Sequence, residues 1–96
     1  MNRVEIINIL KNFKAQNKQK YLIRKIGLFG SVARGTSTEI SDIDVFVELE
    51  KQDLFNIIGI KQDLEERLKT SVDVVSYREQ MNSFLKKRID EEAIYV

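Results

Sequence analysis

Apolar residues recur at helical spacing from Val4 to about Ala15, where Val4, Ile7, Leu10 and Ala15 line one side and Ile6, Ile9 and Phe13 lie beside them. The pattern predicts a first helix that ends there, because Asn17 to Lys20 is wholly polar and reads as a connection. The run YLIRKIGLF that follows has the β-branched and aromatic content of a strand stopping at Gly30. Further strands are predicted at IDVFVEL, residues 43–49, and VDVVS, residues 72–76. Between them Asp53 is placed to cap a helix reaching about Lys69, with Leu54, Ile57, Ile58, Leu64 and Leu68 as its apolar stripe. Asn82 or Ser83 caps a last helix containing Phe84, Leu85 and Ile89, and the closing AIYV adds a short edge strand.

Connection lengths turn these elements into a fold class. A helix between the second and third strands permits a parallel crossover, whereas the glycine-bearing loop after the first strand can reverse direction. The expectation is α/β (α+β): a small mixed sheet backed by helices, forming one domain over residues 1–96. With 96 residues the chain is too short for two cores, and no linker, repeat or low-complexity segment divides it. A composition of 43% hydrophobic and 32% charged residues, without proline, is that of a globular chain. No run approaches the roughly 20 apolar residues of a membrane span, and the amphipathic N-terminus lacks a small-residue cleavage site. A cytoplasmic protein away from membranes is expected.

The chain has neither cysteine nor histidine, so disulfides, thiolate nucleophiles and imidazole bases are excluded. Chemistry is left to carboxylates, hydroxyls, backbone groups, Lys and Arg, a set that favours a hard cation such as Mg²⁺ over zinc. The net charge of +1 conceals a basic N-terminal quarter, where Arg3, Lys11, Lys14, Lys18, Lys20, Arg24 and Lys25 stand against Glu5 alone. That quarter is either a solvated face or a surface for nucleic acid or an acidic partner.

The stretch GLFGSVARGTSTEISDIDVFVE, from Gly27 to Glu48, concentrates the candidate chemistry. Gly30 and Ser31 follow an apolar strand, and Ser31 to Arg34 has the makings of a short helical turn. Glycine lets a backbone approach a phosphate, a serine hydroxyl donates to it, and the turn presents unpaired N–H groups. The same dipeptide also serves ordinary turns. Asp42 and Asp44 stand two apart at a strand start, so both project from one face, roughly 6 to 7 Å apart at the α-carbons. Ile43 and Val45 point the other way. Two such carboxylates can converge on a cation, and aspartate is otherwise disfavoured within an apolar strand. Asp73, flanked by valines, joins them if the second and third strands are neighbours; three carboxylates on one face then need cations to be tolerated. Beside a phosphate-binding loop, such a cluster suits two-metal phosphoryl or nucleotidyl transfer.

Gly30-Ser31, ten intervening residues, Asp42-Ile43-Asp44-Val45 and the later Asp73 together resemble the nucleotidyltransferase signature of the DNA polymerase β superfamily. In the form GSVARG…SDIDVFVE…VDVV the resemblance is to its minimal nucleotidyltransferase (MNT) members, and it spans essentially the whole chain. It implies a nucleotidyltransferase fold in which Asp42, Asp44 and Asp73 are catalytic and hold magnesium, in two ions. The resemblance also implies that Asp73 helps to activate the incoming hydroxyl. It further implies that Gly30 and Ser31 hold the triphosphate of ATP. Arg34 either assists with phosphate charge or pairs with a nearby acid.

MNT proteins of this kind are commonly paired with HEPN proteins. The resemblance therefore implies a type VII antitoxin that transfers AMP to a tyrosine of a HEPN ribonuclease toxin. Two other readings stand beside it. One is a nucleotidyltransferase acting on RNA or a small hydroxylated acceptor, with the basic N-terminal quarter as the RNA surface. The other is a non-catalytic module of the same fold that masks a partner. The exposed part of the helix from Asp53 to Lys69, or the segment with Phe84, Tyr95 and Val96, either docks a partner or belongs to the core.

Overall fold

Asn2 opens the first element by accepting the Glu5 N–H at 2.9 Å, which satisfies one of the free donors at the start of α1 (Arg3–Tyr21). The computed structural model describes residues 2–35 and 42–96. α1 does not stop at Ala15 but continues through Asn17 to Lys20, the expected connection. Lysine and glutamine are good helix formers and no glycine or proline intervenes, so the polar run extends the helix. Its buried line is Ile6, Leu10, Phe13, Asn17 and Tyr21. Asn17 fits into that line because its amide donates to the Phe13 carbonyl at 3.1 Å. Leu22, in the left-handed region at φ 57°, ends the helix. The first strand, β1 (Ile23–Phe29), therefore begins two residues later than the pattern predicts.

The remaining elements are α2 (Gly30–Arg34), β2 (Ile43–Leu49), α3 (Leu54–Leu68), β3 (Val72–Ser76), α4 (Ser83–Glu92) and β4 (Ile94–Tyr95). Asp53 caps α3 through the Phe55 N–H, and Asn82 rather than Ser83 caps α4 through the Leu85 N–H. The sheet order is β3-β2-β1-β4. β1 runs antiparallel to β2 and β4, while β2 and β3 are parallel with α3 as the crossover, so the sheet is mixed.

Alternation along β2 sorts the two faces of the sheet. Ile43, Val45, Val47 and Leu49 join Ile23, Ile26, Leu28 and Val72 beneath α1 and α3. Each large side chain buried in this way contributes about 1.5 to 3 kcal/mol before conformational entropy is counted. The stripe that α3 presents is Ile60, Leu64 and Leu68, with Ile57 packed against the same cluster. Leu54 and Ile58, expected in it, lie to its side and are exposed. Arg67 ties the two helices: its guanidinium reaches Asp63 at 3.1 Å and Gln16 at 2.9 Å, and lies over the Phe13 ring.

The opposite face is smaller and is covered by α4, whose Ile89 packs on Phe29 and Phe46. Phe46 lies across β1 at Gly27, where an added Cβ would run into its ring and into the Ile94 carbonyl. Position 27 is thus closed to any side chain, which lets β4 and the phenylalanine share one strand. Asp44, half-buried, emerges on this second face two residues before Phe46.

Candidate active site

The turn from β1 into α2 is made by Gly30, at φ +76°, a backbone conformation that other L-residues adopt only with strain. A second constraint applies at the same residue. The register pairs Phe29 with Asp44, and the space a Cβ at position 30 would occupy is taken by the Asp44 carboxylate. The glycine therefore brings the loop backbone directly against an acid of the neighbouring strand. Ser31 follows, half-buried, while Val32 and Ala33 anchor α2 in the main core. Gly35, at φ +78°, closes the turn, and Arg3 of α1 donates to the Ala33 carbonyl at 3.0 Å.

β2 and β3 place the acids. Asp44 and Asp73 are direct partners in the parallel ladder, so their side chains leave the same face of strands about 4.8 Å apart. Asp42, exposed, immediately precedes β2. Partial burial pushes the Asp44 carboxyl above its ordinary 3.8, and the negative charges of Asp73 and Asp42 push in the same direction. The guanidinium groups of Arg88 and Arg34 pull it back only in part.

The fold thus accumulates negative charge around Asp44, which lies against the Gly30 backbone, with Asp73 and Asp42 near enough for their charges to act on it. Among the described residues, no three ligating side chains are drawn close enough together to hold a metal ion unaided. Hard carboxylate oxygens on an open rim, with repulsion that the arginines compensate only in part, nonetheless fit magnesium. That ion is ordinarily held by one or two carboxylates and completed by water and substrate phosphates.

The cations of the site are Arg34 and Arg88. Arg34 Nη1 lies 2.7 Å from Glu92 Oε2, so it is ion-paired within the chain. Glu92 Oε1 accepts the Gly30 N–H at 3.1 Å, and Arg88 Nη2 stands 3.8 Å from the same oxygen. Burial opposes ionisation of Glu92, but the bonds from Arg34 and Gly30 and the charge of Arg88 outweigh it and hold the carboxyl below 4.5. Neither Arg88 nor Glu92 stands out in the sequence. Their only local signal is the four-residue spacing of an ordinary helical ion pair.

The basic N-terminal quarter is distributed along α1 and β1, and some of its charges are spent internally. Lys14 donates to the Val96 carbonyl at 3.0 Å, while Lys20 and Lys25 lie over the rings of Tyr21 and Tyr95. Among the described residues, no helix is long and apolar enough to cross a membrane.

Comparison with known proteins bears on this arrangement. The family model for polymerase beta nucleotidyltransferases matches residues 5–96. A Thermococcus cleftensis protein named protein adenylyltransferase MntA is 34% identical over 93 residues, covering 96% of this chain and 93% of its own. A Methanocaldococcus jannaschii protein, provisionally named a protein adenylyltransferase, is 37% identical over 93 residues, with 96% and 95% covered. Among solved structures, a toxin–antitoxin crystal structure with AMP-PNP superposes with a TM-score of 0.74 at 27% identity, over 99% of this chain and 72% of that one.

Proposed function

The chain belongs to the polymerase beta nucleotidyltransferase family, and from that premise we propose that it is a magnesium-dependent protein adenylyltransferase that silences a HEPN toxin partner. The observation that carries the reading is the meeting of Asp44, its ladder partner Asp73 and the Gly30 backbone at one corner of the sheet. Its likeness to an MntA adenylyltransferase and to a toxin–antitoxin complex with AMP-PNP supports the choice of ATP and of a protein acceptor.

In this reading Asp42, Asp44 and Asp73 hold magnesium. Bound there, the metal supplies positive charge for the triphosphate and for the acceptor oxygen. The chain's own groups do the rest. The Gly30 N–H and the Ser31 hydroxyl bind phosphate oxygens, and Arg34 offsets charge that grows on the leaving group. Asp73, exposed at the rim, takes the proton that a tyrosine hydroxyl of the partner gives up. The new bond joins that oxygen to the α-phosphorus of ATP; the bond from the α-phosphorus to the bridging oxygen breaks, and pyrophosphate leaves.

The test is transfer of label from α-labelled ATP with Mg²⁺ to a HEPN protein of the same host, comparing wild type with Asp42→Ala/Asp44→Ala. Label on a toxin tyrosine with wild type alone, and loss of ribonuclease activity in step with it, is the expected result. Label in RNA would move the acceptor elsewhere, and toxin neutralised equally well by the double variant would show that masking, not chemistry, is the antidote.

A further inference from the structure

Glu92 is the last residue of α4, and its carboxylate reaches across to α2. One oxygen accepts the Gly30 N–H at 3.1 Å and the other lies 2.7 Å from Arg34 Nη1. These are two of the groups that the reading above gives to the nucleotide's phosphates. A carboxylate and a phosphate oxygen ask the same of an N–H and a guanidinium, namely charge-assisted hydrogen bonds. The two donors cannot serve both anions at once.

The acid is also placed to leave. Its side chain is 19% exposed, and Arg88, one turn back on the same helix, stands 3.8 Å from Oε1. That guanidinium can receive the carboxylate when α2 lets it go. Behind Gly30 the Asp44 carboxylate presses from the other side, so the glycine lies between two acids. An incoming polyphosphate meets both. Magnesium compensates Asp44 in the proposed site, whereas Glu92 is compensated by the donors that the phosphate needs.

We propose that Glu92 is an internal competitor of the nucleotide: it holds the Gly30 N–H and Arg34 until a triphosphate displaces its carboxylate toward Arg88. The inference rests on the reading of Gly30 and Arg34 as phosphate-binding groups. Glu92 is then a positioning residue, acting through α2, and it raises the nucleotide concentration at which the site fills. A purely structural tie between α2 and α4 makes the opposite demand, because breaking it would loosen the loop and weaken binding.

The experiment is calorimetric titration of the intact chain with AMP-PNP and Mg²⁺, alongside thermal unfolding without nucleotide. Glu92→Gln is expected to bind about five- to tenfold more tightly, the worth of one charge-assisted hydrogen bond no longer contested, while its melting temperature falls. Opposite signs for affinity and stability are the signature of competition. In an Arg34→Ala background the same substitution is expected to gain less affinity than in wild type, because one of the two contested donors is gone and only the Gly30 N–H is left to release. Glu92→Asp, which keeps the charge but shortens the reach, provides a second variant and is expected to bind more tightly as well. Weaker or unchanged binding by Glu92→Gln and Glu92→Asp would overturn the proposal while leaving the phosphate assignment intact. Absence of AMP-PNP binding in wild type and variants alike would overturn that assignment and the competition together.

Discussion

Asp44 and Asp73 stand opposite each other as direct partners in the parallel β2–β3 ladder, two like charges on one face of the sheet. Burial and this neighbour raise the Asp44 carboxyl above its ordinary 3.8, which fixes the sign of its effect on stability. A carboxyl raised in the folded state favours folding while protonated, and loses that contribution as pH rises from the ordinary value through the folded one. At neutral pH without metal, the ionised group therefore opposes folding. Asp44→Asn is expected to stabilise the metal-free chain by about 0.5 to 1 kcal/mol, and to lower nucleotidyl transfer by more than about 100-fold. Thermal unfolding in chelator and a labelled-ATP assay read the two effects; a lower melting temperature would contradict the account of repulsion.

Gly30 and Gly35 share a left-handed backbone but not their surroundings. Either Gly→Ala change carries a conformational penalty of about 1 to 2 kcal/mol. At position 30 the new methyl would also displace the Asp44 carboxylate, whereas among the described residues nothing lies within 4 Å of a Cβ at position 35. Gly30→Ala is expected to lose both stability and transfer, and Gly35→Ala to lose stability with transfer kept. Equal loss of transfer in the two variants would show that backbone strain, not contact with Asp44, is what matters.

Phe46 holds the smaller core together, with its ring 6.4 Å from that of Phe29, 6.3 Å from Tyr77 and 5.2 Å, edge-on, from Tyr95. Phe46→Ala is expected to destabilise the chain by about 3 to 5 kcal/mol, and Phe46→Leu by clearly less, in denaturant unfolding. The loss should appear as a lower midpoint with an unchanged slope if α4 unfolds together with the sheet.

The Tyr77 hydroxyl donates to Asp90 at 2.7 Å, and that bond, with some burial and the adjacent negative charge, pushes its ionisation up to about 12. A group raised in this way contributes its stability below its ordinary 10.0 and loses it as pH climbs through about 12. In ultraviolet titration one tyrosine is therefore expected to ionise late. Asp90→Asn should bring that phase down toward 10.0, since the charge that opposes tyrosinate formation is removed. A titration unmoved by the substitution would rule out Asp90 as the cause.

Much of the sheet was legible because its signals are local. The β-branched runs at 43–49 and 72–76 become β2 and β3 with the same bounds, and Asp53 and Asn82 cap the helices they precede. The end of α1 was not legible, because Asn17 looks like loop until its amide is seen bonded to the Phe13 carbonyl within the buried line. Leu54 and Ile58 show the converse error: apolar residues near helical spacing need not face the core when a neighbouring line at Ile60, Leu64 and Leu68 already fills it. In the candidate site, Asp44 and Asp73 could be paired once the strands were taken as neighbours. Glu92 could not be, since it meets Gly30 across 62 residues and its charge looks like the rest of a highly charged helix.

The covering of one sheet face by α4 also sets a schedule for synthesis. On a ribosome, Gly30 is made 62 residues before Glu92, a delay of about 3 to 12 s at ~5–20 residues per second. For much of that interval Phe29 and Phe46 have been made and Ile89, which covers them, has not. The nascent chain therefore carries two aromatic rings without their cover until α4 is made, and slower translation of α4 lengthens the time in which they can adhere to another chain.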